Sequence, residues 1–545
     1  MKREVFDAVV VGAGAGGGCA AKTLACAGIK TLLLERGEWL KSDVYGEDDL
    51  AGQRTCWLVQ GPGRGGARTR MCHYADNGRH QVVAPVNAAC VGSGTVTYGA
   101  MAWRFMETDF ALKSHYGEVP GSSLEDWPIT YRDLEPYYEK AEYEVGVSGS
   151  MEGNPFAAPR RRPYPMPPFE YDAESRLMAD TMKSMGLHPF HVPFLRNSVP
   201  YNGRPACIHQ RSCVGFQCPI DAKNGTQNTV IPVALASGNC ELRIRSMVTE
   251  LMVDDRGRLS GVRYMDENDE LHEVVSKVVV LACSATGTAR TLLTSVSKLF
   301  PNGAGNNHDM VGRNLQDHAY VEARGFLDRD ILFESGPGCG VGFSDCNHDN
   351  PGFVNGGVLC TDFQFTPAIF AASDFGHGMP RWGIGHKDFV RRNYRRMVRL
   401  CGPMQGVPRL ENRMVLDRSR LDWWGLPLVR YEGQEHENDV KGRIFLANRC
   451  REVLEKAGAK DIQMGAVEKT PRRVWMGQHQ AGSCRMGSDP EKSVTDAWGR
   501  VWDFPNLFIA DGSLNVNNGG FNPVLTIMAL AFRVADGIVR NWDRS

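Results

Sequence analysis

Nowhere in the 545 residues does an apolar run reach the roughly 18 side chains that a membrane-spanning helix needs. The N-terminus, Met1-Lys2-Arg3-Glu4, runs directly into a polar-flanked apolar stretch, with no signal-peptide core ahead of a cleavage site. The expectation is a cytoplasmic protein without an integral membrane segment. Charge of one sign is also missing. Lys plus Arg total 62, Asp plus Glu total 63, and the net charge is −1, so nothing in the balance calls for nucleic acid as a partner. No repeat of about 20–50 residues is present, which excludes solenoids and propellers. The 16 cysteines are dispersed through a long chain, unlike a small disulfide framework, and they are expected to be reduced. At roughly 100–200 residues per domain, the length calls for at least two lobes.

What is present is glycine, 60 residues of it, gathered in short loops. The first such loop carries chemistry. Val5–Val11 reads as a buried parallel strand, Gly12-Ala13-Gly14-Ala15-Gly16-Gly17 follows at once, and an alanine-rich helix is expected from about Gly16 to Ala27, with Gly28 as its stop. Thr31–Glu35 is a second strand that ends in an acid 23 residues after Gly12. This is a dinucleotide-binding βαβ unit. Gly12 permits the tight turn, Gly14 lets backbone approach a pyrophosphate, and Gly17 lets the helix pack on the strand. The free N–H groups of the helix N-terminus favour phosphate. Glu35 is placed to bind ribose hydroxyls. The motif alone does not separate FAD from NAD.

At the other end, Pro505–Ser513 reads as a short strand closing on Asp511-Gly512. A polar loop, Asn515–Gly520, leads to Phe521-Asn522-Pro523 and an apolar helix to about Val539, with Pro523 suited to its first turn. Upstream, Gln478-His479-Gln480-Ala481-Gly482-Ser483-Cys484-Arg485-Met486-Gly487 joins a histidine to a Gly-rich turn.

Together with Gly312-Arg313-Asn314-Leu315-Gln316-Asp317-His318, and with Asp126-Trp127-Pro128-Ile129 ahead of Asp133–Tyr138, these segments resemble the glucose–methanol–choline (GMC) flavoprotein oxidoreductases over essentially the whole chain. The resemblance implies an α/β fold, with a Rossmann-like FAD-binding domain interleaved with an α+β substrate domain built on an antiparallel sheet. The FAD lobe is expected over 1–115, 200–325 and 470–545, and the substrate lobe over 116–199 and 326–469. Val278–Cys283 is expected as a strand of the FAD lobe, with a helix from Gly287. The resemblance further places Asp511 at the ribityl or pyrophosphate part of FAD and the Val248 backbone at the adenine.

It also identifies His479 as the catalytic base and Asn522 as its partner. Alcohol oxidation removes a proton from oxygen and a hydride from carbon. A histidine suits the proton, and the flavin N5 takes the hydride. An Asn cannot be a base, so of the two only His479 can.

The loop Val91-Gly92-Ser93-Gly94-Thr95-Val96-Thr97 matches a family segment along the flavin, with Gly92 and Thr95 as cofactor contacts and Thr97 where Asn is common. Some relatives bond the flavin through a histidine in this loop. None occurs between His80 and His115, so FAD is expected to be non-covalent. Cys207, Cys213 and Cys218, at C-x5-C-x4-C, support three readings: packed free thiols, ligands of an iron–sulfur cluster, or a zinc site. Pro155–Pro168 reads as a loop or lid, and Phe326–Gly406 as cavity wall. Arg391–Arg396 is a basic cluster that suits a solvated face or an acidic contact.

The expected activity is FAD-dependent oxidation of an alcohol on a sugar, glycoside or polyol. Its alternatives are a bulky aromatic or lipid alcohol, or an iron–sulfur sugar dehydrogenase feeding a cytochrome. A flavin lyase is a more distant reading. The acceptor could be oxygen, a quinone or another carrier.

Overall fold

The computed structural model describes residues 4–40, 72–76, 79–83, 88–332, 336–376, 379–465, 467–474 and 476–542. Part of the expected 1–115 segment, residues 41–71, lies outside the described residues.

The N-terminal run dictates the first layer. Ala8–Val11 is fully or almost fully buried, as a central parallel strand covered on both faces must be. It is flanked in parallel by Thr31–Leu34 and by Leu271–Leu281, with Cys240–Arg243 beyond Thr31–Leu34. Leu507–Ile509, from the far end of the chain, pairs in parallel with Leu271–Leu281. Leu259–Met265 and Met247–Val253 close the seven-stranded sheet in antiparallel fashion, with Met247–Val253 at the edge. Of the expected strand Val278–Cys283, Val278–Leu281 is the buried end of an 11-residue strand, and Cys283 is instead the N-cap residue of the helix Ser284–Thr294.

Helix Ala15–Cys26 rests on this sheet and packs against helix Val524–Arg540. The approach needs glycine. A Cβ on Gly16 would lie 1.7 Å from the Ala510 carbonyl oxygen, and one on Gly17 would lie 1.8 Å from that of Gly12. Gly12 itself has φ +97°, a value side chains disfavour.

A second, all-antiparallel sheet of six strands runs in the order Lys460–Met464, Ala319–Phe326, Met397–Met404, Leu359–Thr361, Val341–Phe343 and Phe190–His191. Helix Glu437–Lys456 covers it, burying Leu446, Cys450, Val453 and Leu454. The expected architecture is what the structure shows. Pro155–Pro168 contains neither helix nor regular strand. A four-stranded sheet of Arg413–Leu421, Pro427–Glu432, Cys72–Asp76 and Arg79–Val83 was not anticipated. No helix among the described residues is long and apolar enough to cross a membrane.

Candidate active site

A cavity of about 760 Å³ runs between the two large sheets. It is within the size range of ligand pockets in proteins, near the upper end. One end is bounded by Glu35, Ser246 and Val248, the middle by Gly12, Gly14, Gly16 and Asp511, and the far end by Tyr320, His479 and Asn522.

The middle is built for an anion. Helix Ala15–Cys26 opens on Gly14 with no side-chain cap and no acid in its first turn, so its N–H groups face the cavity. A Cβ on Gly14 would crowd Ser93 at 3.2 Å and narrow the passage. Of the cofactor residues expected from sequence, Gly12, Gly14, Glu35, Thr95, Val248 and Asp511 line the cavity. Gly17 and Gly92 lie behind the wall. Gly17 sits under the Gly12 turn, and Gly92 holds φ +92° so that Thr95 Oγ1 can donate to its carbonyl at 2.7 Å.

Glu35 is a staple as well as a wall. Its carboxylate accepts the Ala13 N–H at 2.9 Å and the Gly37 N–H at 2.8 Å, which fixes the Gly12 turn. Burial pushes its pKa upward. Asp511 accepts from Thr288 Oγ1 at 2.5 Å, Ser513 N at 2.9 Å and Ser513 Oγ at 2.6 Å, and burial again raises its pKa. These bonds hold the carboxylate at the cavity surface, within reach of a diol or phosphate-linked ribityl chain.

At the far end, hydrogen-bond polarity can be assigned atom by atom. His318 Nε2 meets two carbonyl oxygens, Gly519 at 2.7 Å and Asn518 at 3.1 Å. Carbonyls only accept, so this nitrogen carries the hydrogen. Burial holds the His318 pKa down at about 4, so the ring is neutral at pH 7 and its Nδ1 is an acceptor. His479 Nδ1 lies 2.8 Å from that nitrogen and must donate to it. His479 Nε2 therefore carries a lone pair rather than a hydrogen, and it accepts only weakly, from Asn522 Nδ2 at 3.4 Å. Burial and the neighbouring His318 push the His479 pKa well below its ordinary value.

Asn522 is oriented by the same logic. Trp103 Nε1, which can only donate, points at Asn522 Oδ1 at 3.0 Å. The amide nitrogen then donates to Tyr320 OH at 2.8 Å and stands 3.4 Å from His479 Nε2. A donor and a lone pair at that spacing can share one hydroxyl. Asp317 fixes the histidine loop, taking the N–H of His479 at 3.0 Å and that of Gly477. Burial raises its pKa to about 7.

Sequence reasoning gave no role to Tyr320, Trp103, Asp317 or His318. The last two stood inside a segment already singled out, and a histidine directly after a buried Asp was the available signal. For Trp103 and Tyr320 the sequence carries none, because both reach Asn522 only through the fold.

Thr97 does not reach the cavity lining, and its hydroxyl is buried. The expected wall segment Phe326–Gly406 contributes Asp362, Phe363, Gln364, Phe365, Thr366, Ile369, Arg399 and Cys401. Cys207, Cys213 and Cys218 are partly buried near Lys223, whose ammonium donates to the carbonyls of Cys213 at 2.6 Å and Phe216 at 2.7 Å. Among the described residues, the one His/Cys/Asp/Glu group with ligand atoms all within 4.8 Å is Asp266, Glu270 and His272, not these thiols.

Residues 194–320 and 408–531 match the GMC oxidoreductase family. The chain is 30% identical to 2-methyl-1,2-propanediol dehydrogenase of Mycolicibacterium austroafricanum, over 98% of this chain and 96% of that one. It is also 30% identical to 6'''-hydroxyparomomycin C oxidase of Streptomyces lividus, over 98% and 91%. Formate oxidase of Aspergillus oryzae superposes with a TM-score of 0.67 at 13% identity, over 100% and 99%. With its anion-binding turn, its two interleaved sheets and these full-length likenesses, the chain belongs to the GMC oxidoreductase family of FAD-binding flavoproteins.

Proposed function

We propose that the protein oxidises a secondary or primary alcohol on a hydroxyl-rich substrate, a sugar, glycoside or other polyol, to the carbonyl. The observation that carries this reading is the unprotonated Nε2 of His479, which faces the Asn522 amide at 3.4 Å on the cavity wall.

Gly12, Gly14, Glu35, Thr95, Val248 and Asp511 would hold FAD along the cavity. When bound, FAD supplies the two-electron acceptor for the hydride. The substrate hydroxyl would donate to His479 Nε2 and accept from Asn522 Nδ2. His479 removes the hydroxyl proton as the C–H bond breaks, and becomes an imidazolium with N–H on both nitrogens. Its Nδ1–H already points at His318, so the ring does not turn during transfer. Trp103 and Tyr320 hold the Asn522 amide so that its N–H, not its oxygen, meets the developing alkoxide. Such preorganised donors act most strongly in a site closed to water.

The preference for a polyol rests on the wall opposite. Glu322, Asp362, Gln364, Thr366 and Arg399 face the same cavity, and Arg399 pairs with Asp362 at 2.6 Å. A lipid chain would take water from these polar groups and return no hydrogen bond to them. The relatives named for a diol and for an aminoglycoside point the same way. Non-covalent FAD is part of the proposal, because the Gly92–Thr97 loop offers no histidine.

Anaerobic mixing with a panel of polyols and simple alcohols tests the reading. Bleaching of the flavin bands by a polyol, and release of the yellow colour on acid precipitation, are expected. A flavin that no alcohol reduces would overturn the proposal.

A further inference from the structure

The basic cluster noted in the sequence sits on a helix that the catalytic reading leaves unused. Helix Gly383–Asn393 has no fully buried residue, yet one of its faces is anchored. His386 Nε2 donates to the Ala371 carbonyl at 2.9 Å. Phe389 packs among Phe326 and Phe375, with ring centres 5.7 Å away in each case. Just past the helix, Tyr394 OH donates to the Phe365 carbonyl and receives Arg211 Nη1, both at 2.9 Å.

The other face points away from the protein. Trp382 is 85% exposed and Ile384 70% exposed, side by side at the N-terminal tip. Behind them Lys387, Arg391, Arg392 and Arg395 are all exposed. Residues 381–396 hold six Lys and Arg against one Asp, in a chain whose net charge is −1. Asp388 meets Arg391 at 3.5 Å, and Arg381 and Arg396 pair with Asp374 and Asp330. Lys387 and Arg392 lie in the outward row.

We infer that this tip and row form a docking surface for an anionic lipid bilayer. A protein interface places its apolar residues centrally, inside a polar rim. Here the apolar pair projects at one end and the cations trail behind it, which suits a planar charged surface with a shallow apolar layer beneath. Indole rings settle at the headgroup level, and Lys and Arg attract anionic headgroups. The patch adjoins the cavity: Arg211, Thr366 and Ile369 line it, one layer below the helix. Docking therefore sets the cavity wall beside the membrane.

Co-sedimentation of the purified holoenzyme with vesicles at low ionic strength tests this. Phosphatidylcholine containing about 30% phosphatidylserine should retain the protein, and pure phosphatidylcholine should not. Trp382→Ser with Ile384→Ser, and separately Lys387→Glu with Arg391→Glu, should each weaken retention by about tenfold or more, leaving turnover of a soluble alcohol unchanged. Absence of retention by anionic vesicles overturns the inference. So does retention that ignores both double variants. Retention lost on charge reversal but intact in the Trp382/Ile384 variant would assign the row to an acidic macromolecule instead, and would equally overturn it.

Discussion

His479 and His348 are both largely buried imidazoles on loops, and each is hydrogen-bonded, yet they are wired in opposite ways. His348 Nε2 contacts the fully buried carboxylate of Asp109 at 3.1 Å, and its Nδ1 contacts Tyr116 OH at 3.0 Å. A carboxylate only accepts, so His348 Nε2 donates to Asp109, while the Tyr116 oxygen also takes the Asp349 N–H at 3.3 Å. By composition this Asp–His–Tyr chain looks more like catalytic machinery than the His–His pair does. It is not. Both of its ring nitrogens are taken, and none of the three side chains lines the cavity. His479 has one nitrogen committed to a neutral imidazole, and the other, held only at 3.4 Å from the Asn522 amide, lies at the cavity wall. What marks His479 as the proposed base is a weakly engaged nitrogen at a cavity wall, whatever orients its other side.

The partner also sets the chemistry. A carboxylate behind a base stabilises its imidazolium and raises its pKa. A neutral His318 does not, and His479 is held well below its ordinary value. The proposed base is thereby kept deprotonated at neutral pH, at some cost in proton affinity.

The largest effect that could break the contrast is His479→Ala. Turnover should fall about a thousandfold, within the usual reach of general base catalysis, and the flavin spectrum should be retained. Wild-type turnover in that variant would remove the base assignment. Next comes His318→Phe, which removes the acceptor for His479 Nδ1–H and frees the ring to adopt the wrong tautomer. A loss of about 10–100-fold in kcat is expected, with partial recovery in His318→Gln, whose oxygen can accept. A variant at full rate would show that the pair is not what orients the base. Asn522→Ala should cost about tenfold, since one hydrogen bond to the reacting oxygen is lost while the base survives. The pH profile is the subtler check. A base whose pKa is lowered by burial is already deprotonated above its ordinary value of about 6.5, so kcat/KM should be flat from pH 7 upward and fall only on acidification below that value. A limb centred above pH 7 would mean that His479 is not desolvated in the working enzyme.

Much of this was legible in the sequence because it is local. Gly12, Gly14 and Gly17 are read from a strand, a turn and a helix within 30 residues, and close backbone contact excludes a side chain at Gly12 and Gly17. Asp511 follows a short strand and caps the turn after it, again within a few residues. Trp103 and Asn522 are 419 residues apart, Tyr320 and Asn522 are 202 apart, and His318 and His479 are 161 apart. No periodicity or turn rule links such pairs. They meet because Ala319–Phe326 is a strand of the second sheet beside Met397–Met404, and that pairing is set by tertiary packing. The sheet joining Cys72–Asp76 to Pro427–Glu432 was missed for the same reason.

The smallest expected effect on catalysis is the one that sharpens the contrast most. His348→Ala removes one of two hydrogen-bond donors to a carboxylate with no exposed side-chain surface, leaving the Met106 N–H at 2.7 Å. Losing a buried hydrogen bond to a charged group costs about 2 kcal/mol of stability, which should appear as a lower melting temperature. Turnover at 25 °C should change by no more than about twofold, because neither His348 nitrogen faces the cavity. His479→Ala should be dominated by the loss of turnover, with a modest drop in melting temperature as well, since the 2.8 Å bond to His318 and the weak contact with Asn522 are both lost. If His348→Ala instead lowered kcat as strongly as His318→Phe, the connection through Asp109 would be acting on the base. Asp109 does receive the Asn517 side chain on its backbone carbonyl at 2.6 Å, and Asn517 precedes the two carbonyls that orient His318. A large kcat effect would therefore mean that the loop, and not the His–His contact alone, holds His479 in register. The double variant His348→Ala/His318→Phe separates the two accounts: independent sites give multiplicative losses, and a shared path gives no further loss beyond His318→Phe.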